Sequence, residues 1–243
     1  MYVETMTPDE IVEEFKKDYG NVLVKTIKCM LPSKEYKNIR RANFSSFPAY
    51  LTYPIKTDRG NSYYVRIKFP DKKSVLKVTL EEFNFTPMPI IKTSYGGNSV
   101  NIVTQDLLRM NDKWILHTFR PHLFARFKER MGYTNIDGMK LVKKFFDSNT
   151  TAITNSSYRG TDNNEVYVSC KDGCILGVRN ESENVIHLDM KTFISNETMK
   201  EGYKSSFNQS EECIKLHGAV DRADKERKRI CLAQDGEHYD MEI

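Results

Sequence analysis

The sequence lacks a long apolar run. Nowhere among its 243 residues do 18 apolar residues follow one another, which is the length that a membrane-spanning helix requires. The first twenty residues carry acidic side chains, whereas a secretory signal peptide begins with basic residues and continues with an apolar stretch. We therefore expect a cytoplasmic protein that has no membrane partner.

Cysteine is scarce, with five residues at widely separated positions. The odd number and the length of the chain favour free thiols over a disulfide scaffold. Cys170 and Cys174 enclose a Lys-Asp-Gly sequence, but the second ligand pair of a structural zinc site is missing. His117 and His122 also lack further ligands at a familiar spacing. We expect neither a metal nor another cofactor.

Familiar catalytic motifs are absent as well. The sequence contains no Walker motif, no Gly-x-Ser-x-Gly and no convincing Cys-His pair. The formal net charge is +4, from 37 basic and 33 acidic residues. This mild excess neither requires nor excludes a nucleic-acid partner, so the composition leaves both RNA and a protein as possible partners.

Local signals predict strands and one helix in the N-terminal region. Thr7 as N-cap and Pro8 at the first helical position predict a helix over residues 8–19, with Gly20 as its stop, and residues 21–31 suit either a strand or more helix. Residues 86–91 contain too much proline for a central strand. Residues rich in β-branched and aromatic side chains predict strands at 49–57, 62–69, 74–83, 96–104 and 113–119.

The C-terminal region has a helical part followed by strands. Residues 121–132, closed by Gly132, and residues 135–149 predict two helices. A hairpin follows at 165–180, then a strand at 183–194 and a capped helix that begins at Ser195 or Asn196. The chain thus divides into a β-rich region (1–112), a β-α-α-β-β-β unit (113–205) and a charged tail (206–243). We predict an α+β fold with mainly antiparallel sheet and a few helices on one face, in one sheet or in two domains.

A stripe of His122, Arg126 and Arg130 lies along the first of these helices. Their spacing of four places them on one face, whereas Leu123, Phe124 and Phe127 face the core. Two guanidiniums one turn apart form a phosphate clamp, and a histidine near a helix N-terminus and arginines stays neutral and acts as a base. Metal-independent RNA cleavage needs these groups. An ordinary basic surface helix has the same pattern.

Residues 121–132 and the later residues 173–195 together resemble small bacterial proteins. In these proteins a His-x-x-x-Arg-x-x-x-Arg helix precedes a short antiparallel sheet that ends in a strand like Thr-Phe-Ile-Ser. The layout is similar to the RelE/BrnT-type fold of ribonuclease toxins and allied uncharacterised domains. The resemblance covers residues 113–200 and implies that basic residues on the helix and strands contact RNA. It adds Thr192 as an assisting polar group and Arg179 as a weaker candidate.

Two functions follow from these observations. The first is an RNA-binding protein or a metal-independent endoribonuclease of RelE-like type, with His122 as base, Arg126 and Arg130 as clamp, and Thr192 beside them. The second is a non-catalytic protein-interaction module from a bacterial or mobile-element genome. The long N-terminal region and the nearly neutral charge depart from the small, basic toxins.

Two strand faces are further candidates. Tyr64, Arg66 and Lys68 share one face of their strand by parity, which suits base stacking or plain solvent exposure, while the alternate residues look like core. His187 and Asp189 also share a face. They suit a functional pair or, as the simpler interpretation, a solvated strand face.

Overall fold

The computed structural model of the chain describes residues 1–76, 84–105, 113–149 and 164–199, with the backbone of residues 157 and 158. Its helices are α1 (Pro8–Met30), α2 (Lys34–Arg41), the 3-10 turn η1 (Phe44–Ser46), α3 (Lys72–Leu76), α4 (Pro121–Arg130) and α5 (Gly138–Ser148). Its strands are β1 (Ala49–Lys56), β2 (Ser62–Phe69), β3 (Phe85–Lys92), β4 (Asn98–Gln105), β5 (Trp114–Phe119), β6 (Ser157–Tyr158), β7 (Glu165–Cys170), β8 (Gly173–Glu181) and β9 (Val185–Ser195).

All nine of these strands belong to one sheet, in the order β1-β2-β3-β4-β5-β9-β8-β7-β6. Each neighbouring pair is antiparallel except β5 and β9, which run parallel. Two antiparallel meanders therefore join edge to edge through one parallel pair. The α+β class with a mainly antiparallel sheet is confirmed. Whether regions 1–112 and 113–205 fold independently stays a prediction, although their strands share this sheet.

Helices pack on both faces of the sheet, not on one. On the first face α1 and α2 cover a core that includes Phe15, Val22 and Leu116. On the second face α4 and α5 cover a core rich in phenylalanine, in which the Phe127 ring lies 5.0 Å from Phe145 in edge-to-face geometry. Because both faces are covered, the central strand β5 is buried on both sides, like a strand of an α/β protein.

Helix α1 begins as its sequence predicts and ends much later. Thr7 and Glu10 form a reciprocal capping box, and Pro8 is the first helical residue. The helix continues through Gly20. This position is exposed, and a Cβ atom there would have no neighbouring atom within 4 Å outside the local helix backbone, so the glycine destabilises the helix by only about 1 kcal/mol relative to alanine. The buried residues Val22 and Met30 continue the inward stripe and hold the second half against the sheet. No helix in the described part of the chain is long and apolar enough to span a membrane.

The expectation that residues 86–91 avoid a central strand is wrong. Strand β3 pairs with β2 on one side and β4 on the other. Pro87 and Pro89 are two apart, so their ring nitrogens face the same neighbour. Asn101 of β4 donates its side-chain N–H to the Pro89 carbonyl at 3.3 Å, which identifies that neighbour as β4. The pairing of β3 with β4 includes only residues from Ile90 onward. Pro87 and Pro89 therefore lie outside the part of β3 that is paired with β4.

Two further expectations need correction. Residues 74–76 of the expected strand 74–83 belong to α3, which starts where Asp71 accepts a hydrogen bond from the Ser74 N–H at 2.8 Å; residues 77–83 lie outside the described part. Ser195 ends β9 instead of capping a helix, and residues 196–198 form a turn. The remainder of that expected helix and the tail 206–243 also lie outside the described residues.

The polar face expected on β2 is largely buried. Tyr64 joins the core beneath α4 and α5, and Arg66 is only 5% exposed. The Arg66 guanidinium lies 4.1 Å from the centre of the Tyr50 ring and contacts Asp147 at 3.3 Å. Lys68 alone of the three is exposed. This face is therefore not a free surface for stacking bases, because α5 approaches it from the other half of the chain.

A buried histidine in the central strand makes stability sensitive to acid. His117 lies between Ile102 of β4 and Leu188 of β9 on the face toward α4 and α5. Its Nδ1 atom has no hydrogen-bond partner in the described structure. Burial, together with the nearby His187, lowers the pKa of His117 to about 4, so the folded state holds this ring neutral at physiological pH.

We predict that the free energy of unfolding falls as the pH drops from about 6.5 to about 4. In this window His117 binds a proton in the unfolded chain but stays neutral in the folded chain. The free energy of unfolding therefore falls by an amount that approaches about 3 kcal/mol. His187 contributes in the same direction, because burial lowers its pKa too. Urea denaturation at several pH values should show a flatter profile for His117→Leu than for His187→Asn. Equal slopes for His117→Leu and the unmodified chain would contradict the prediction.

Candidate nucleic-acid interface

The predicted stripe on α4 lies at the surface. His122 is exposed, and Arg126 Nε donates to its Nε2 atom at 3.4 Å. Arg126 also forms an ion pair of 2.7 Å with Glu129, one turn later on the same helix. The spacing thus predicts one shared helix face, as found. An exposed pair of this kind contributes little to stability and leaves Arg126 only partly available to a phosphate.

Arg130 and Thr192 do not complete a site with these two residues. The Arg130 guanidinium donates to the Phe193 carbonyl. In the pairing of β9 with β8, Lys191 has no partner and forms a β-bulge. The bulge reverses the face of the sheet to which the following side chains point. The Phe193 ring packs 5.2 Å from Phe127 of α4, which turns the Thr192 side chain to the other face of the sheet. Thr192 and the α4 stripe therefore lie on opposite faces of the sheet.

The sequence analysis also named Arg179 and the cysteine pair Cys170 and Cys174. Arg179 pairs with Glu181 on β8. Cys170 and Cys174 are both buried, and burial raises the pKa of Cys170 to about 12 and that of Cys174 to about 11. Both thiols are therefore protonated at neutral pH, unlike the thiolates that bind metals. Among the described residues, no group of three or more His, Cys, Asp or Glu side chains is placed to hold a metal ion.

A second concentration of positive charge lies on α2, which no sequence prediction above includes. Ser33 caps this helix by accepting the Tyr36 N–H at 3.1 Å. Tyr36 faces inward, where its ring lies 6.1 Å from Phe69 and its hydroxyl donates to the Val75 carbonyl at 2.9 Å. This anchor fixes the orientation of α2, so the opposite side of the helix must face solvent.

That outer side is basic. At 100° per residue, Lys34, Lys37, Arg40 and Arg41 fall within about a third of the helix circumference. Lys34 and Arg41 lie opposite Tyr36, whereas Arg40 lies one turn after Tyr36 and borders the inner side. All four are exposed. None of them forms an ion pair with an acidic side chain within the described ranges, whereas α1, α4 and α5 all carry cations that do. Their charge is therefore available to an external anion.

An exposed aromatic ring adjoins these cations. Lys72 of α3 donates to the carbonyls of Arg40 and Ala42 at 2.5 and 2.6 Å and so fixes the end of α2. The chain then enters η1, where Phe44 is 81% exposed. We call the set Lys34, Lys37, Arg40, Arg41 and Phe44 the basic surface. Cations next to a free aromatic ring are the combination that binds phosphate and stacks a base.

The helix dipole explains only part of this charge. Arg40 and Arg41 lie in the last turn of α2, where cations stabilise a helix by about 0.3–1 kcal/mol. Lys34 lies in the first turn, where the dipole disfavours a cation. Stability of the helix therefore accounts for two of the four charges at most. The signal in the sequence is the spacing of basic residues at 34, 37, 40 and 41 behind a serine cap.

No protein-family model, curated protein sequence or solved structure matches the chain. The resemblance of residues 113–200 to RelE/BrnT-type domains stays a prediction. So do the roles that it suggests for Thr192 and Arg179.

We predict that His122→Ala and Arg126→Ala each change the free energy of unfolding by less than about 0.5 kcal/mol, because both side chains are near solvent and their pairing is exposed. Phe127→Ala, on the inner side of the same helix, should cost about 3–5 kcal/mol. Urea denaturation at pH 7 measures all three. A destabilisation by His122→Ala comparable to that of Phe127→Ala would show that His122 belongs to the packed interior.

Proposed function

We propose that the chain binds single-stranded RNA through the basic surface. The observation that carries this proposal is the group of four cations, which have no acidic partner among the residues that the structure describes, beside the exposed ring of Phe44. Each cation that neutralises a phosphate releases a condensed counterion, which supplies sequence-independent affinity. The function proposed is therefore binding, and it needs no catalytic group on α2.

The exposed ring favours a single strand over a duplex. A base inside a duplex is already stacked on its neighbours and cannot cover an aromatic side chain. An unpaired base gains about 1–3 kcal/mol on such a ring, whatever its identity. Phe44 is exposed and lies three residues after the last basic residue of α2, so one strand can contact the cations and the ring together.

The ribonuclease hypothesis is separate from this proposal. His122 and Arg126 are neighbours, but Arg130 and Thr192 are directed elsewhere, so the arrangement supports binding better than cleavage. Incubation of the chain with labelled RNA and a chelator tests cleavage independently. The alternative of a protein-interaction module predicts that RNA is neither cleaved nor retained.

We predict that glutamine at positions 34, 37, 40 and 41 together weakens RNA binding at least tenfold. The slope of log K against log salt should also become shallower by about 3, at about 0.7 for each phosphate of a single strand that is no longer neutralised. Fluorescence anisotropy with a dye-labelled uridine oligonucleotide of about 15 nucleotides, at several salt concentrations, measures both quantities.

A matched control removes the same total charge elsewhere. Lys17, Lys140 and Lys191 are exposed on other elements, and Lys171 is exposed in the turn between β7 and β8. A chain with glutamine at all four should keep most of the affinity. An equal decrease in affinity in both variants would mean that RNA responds to net charge alone. The basic surface would then not be the site.

We predict that Phe44→Ala weakens RNA binding by about 5- to 150-fold, the equivalent of one stacking interaction, with no change in the salt slope. Tyr95→Ala is the matched control, because Tyr95 is 94% exposed and lies in the turn before β4. Both variants should fold normally, which circular dichroism checks. Affinity that is unchanged in Phe44→Ala would exclude the ring from the interface.

A further inference from the structure

A polar group interrupts the core between the sheet and α1. On this face the neighbouring strands carry Ser99 and Asn101 of β4, Thr118 of β5, and His187 and Asp189 of β9, whereas Val103, Leu116 and Val185 on the same face are core residues. Ser99, Asn101 and Thr118 are each at most 5% exposed. Polar side chains in such positions cost stability, and a local departure from core composition marks a functional region.

Three of these side chains form a directed hydrogen-bond chain. Asn101 Nδ2 donates to the Pro89 carbonyl, so its Oδ1 accepts the Thr118 hydroxyl proton at 2.8 Å. A hydroxyl has one proton, so Thr118 must accept from His187 Nε2, 3.0 Å away. Burial lowers the pKa of His187, which keeps the ring neutral. His187 therefore carries its proton on Nε2 and presents Nδ1 as an acceptor.

Arg120 and Asp189 form an ion pair at the border of this group. Arg120 Nε and Nη2 reach the two carboxylate oxygens at 2.6 and 3.2 Å. The geometry is bidentate, so each charge is largely neutralised by the other. The guanidinium is 41% exposed and the carboxylate 13% exposed, which places the pair between the interior and solvent.

The N-terminal segment covers the group and leaves a cavity of about 60 Å³. Glu4, Met6, Pro8 and Ile11 line it from above, opposite Ser99, Asn101, Thr118, Arg120 and His187. Glu4 Oε2 accepts the Ser94 N–H at 2.6 Å, which fastens the segment over the sheet. The volume equals that of about two water molecules, so a ligand group of few atoms fits.

The donors of Ser99, Thr118 and His187 around the cavity are already used, while acceptors remain. Ser99 donates to the Ile91 carbonyl at 3.3 Å and keeps its oxygen lone pairs. His187 keeps Nδ1, and Glu4 keeps its second carboxylate oxygen, which interacts electrostatically with Arg120 but forms no ion pair within 4 Å among the described residues. The Arg120 guanidinium also lines the cavity and keeps N–H donors, while its charge is offset by Asp189. The cavity therefore has an excess of acceptors and one negative charge.

We propose that this cavity binds a primary ammonium group. An ammonium has three donors and no acceptor, which complements the Ser99 oxygen, His187 Nδ1 and the Glu4 carboxylate. The group reaches the cavity as part of a small amine or as the end of a lysine side chain from a peptide. This site lies on β4, β5, β9 and the N-terminal segment and does not depend on the basic surface of α2.

Methylammonium chloride is the probe for this site, and tetramethylammonium chloride at equal concentration is its control, because the latter has the same charge but no N–H donor. Methylammonium should shift the His187 imidazole resonances in proton NMR and saturate with a Kd of about 5 mM or weaker, the range expected for so few atoms. N-acetyl-lysinamide distinguishes the two sources. Tighter binding than methylammonium indicates a lysine side chain, and weaker binding indicates a small amine.

Two variants identify the residues that act. Glu4→Gln and Ser99→Ala should each weaken methylammonium binding at least threefold, whereas Glu183→Gln, an exposed carboxyl elsewhere, should leave it unchanged. Thermal melting of each variant shows that it is folded. Identical shifts with the two salts, or equal binding by Glu4→Gln and Glu183→Gln, would overturn the proposal.

Discussion

The parallel pairing of β5 with β9 is the constraint on which the rest of the structure depends. Two parallel strands cannot be joined by a hairpin, so the chain between them must cross over one face of the sheet. Helices α4 and α5 carry the chain across the second face and cover it, after which β6, β7 and β8 lead back from the edge of the sheet to β9, and the first face is left to α1 and α2. Because both faces of the central strand β5 are covered, the side chains on both faces must fit into a buried environment. β5 meets this demand with Leu116 and Thr118 on one side and His117 and Phe119 on the other.

Local interactions were predictable from the sequence, and the partners of each strand were not. The Thr7 cap, the turn between β1 and β2, the Lys-Asp-Gly hairpin and the helix closed by Gly132 all depend on residues close in the chain. Apart from α3, which begins at a local cap formed by Asp71, the errors discussed next arise where distant segments meet. Gly20 is tolerated because the sheet holds α1, Pro87 and Pro89 are tolerated because the β4 ladder is interrupted, and Arg66 is buried because α5 approaches it.

The same distinction applies to the candidate sites. Helical spacing correctly placed His122 and Arg126 side by side, since that follows from one helix. It could not place Thr192, because the bulge at Lys191 reverses the direction of the side chains that follow. The basic surface of α2 needs both kinds of information. The four cations are visible in the sequence, but their exposure depends on Tyr36 being held by Phe69 and Val75.

Next to the bulge in β9, the neighbouring strand β8 carries a glycine, which has no side chain. At Gly177 of β8, a Cβ atom would stand 2.5 Å from the carbonyl oxygen of Asp189, closer than such atoms approach in proteins. The two strands reach their spacing only because nothing projects from that point. Asp189 in turn holds Arg120. We therefore expect a larger residue at position 177 to displace Asp189 and, through it, Arg120, although the glycine contributes no chemical group of its own.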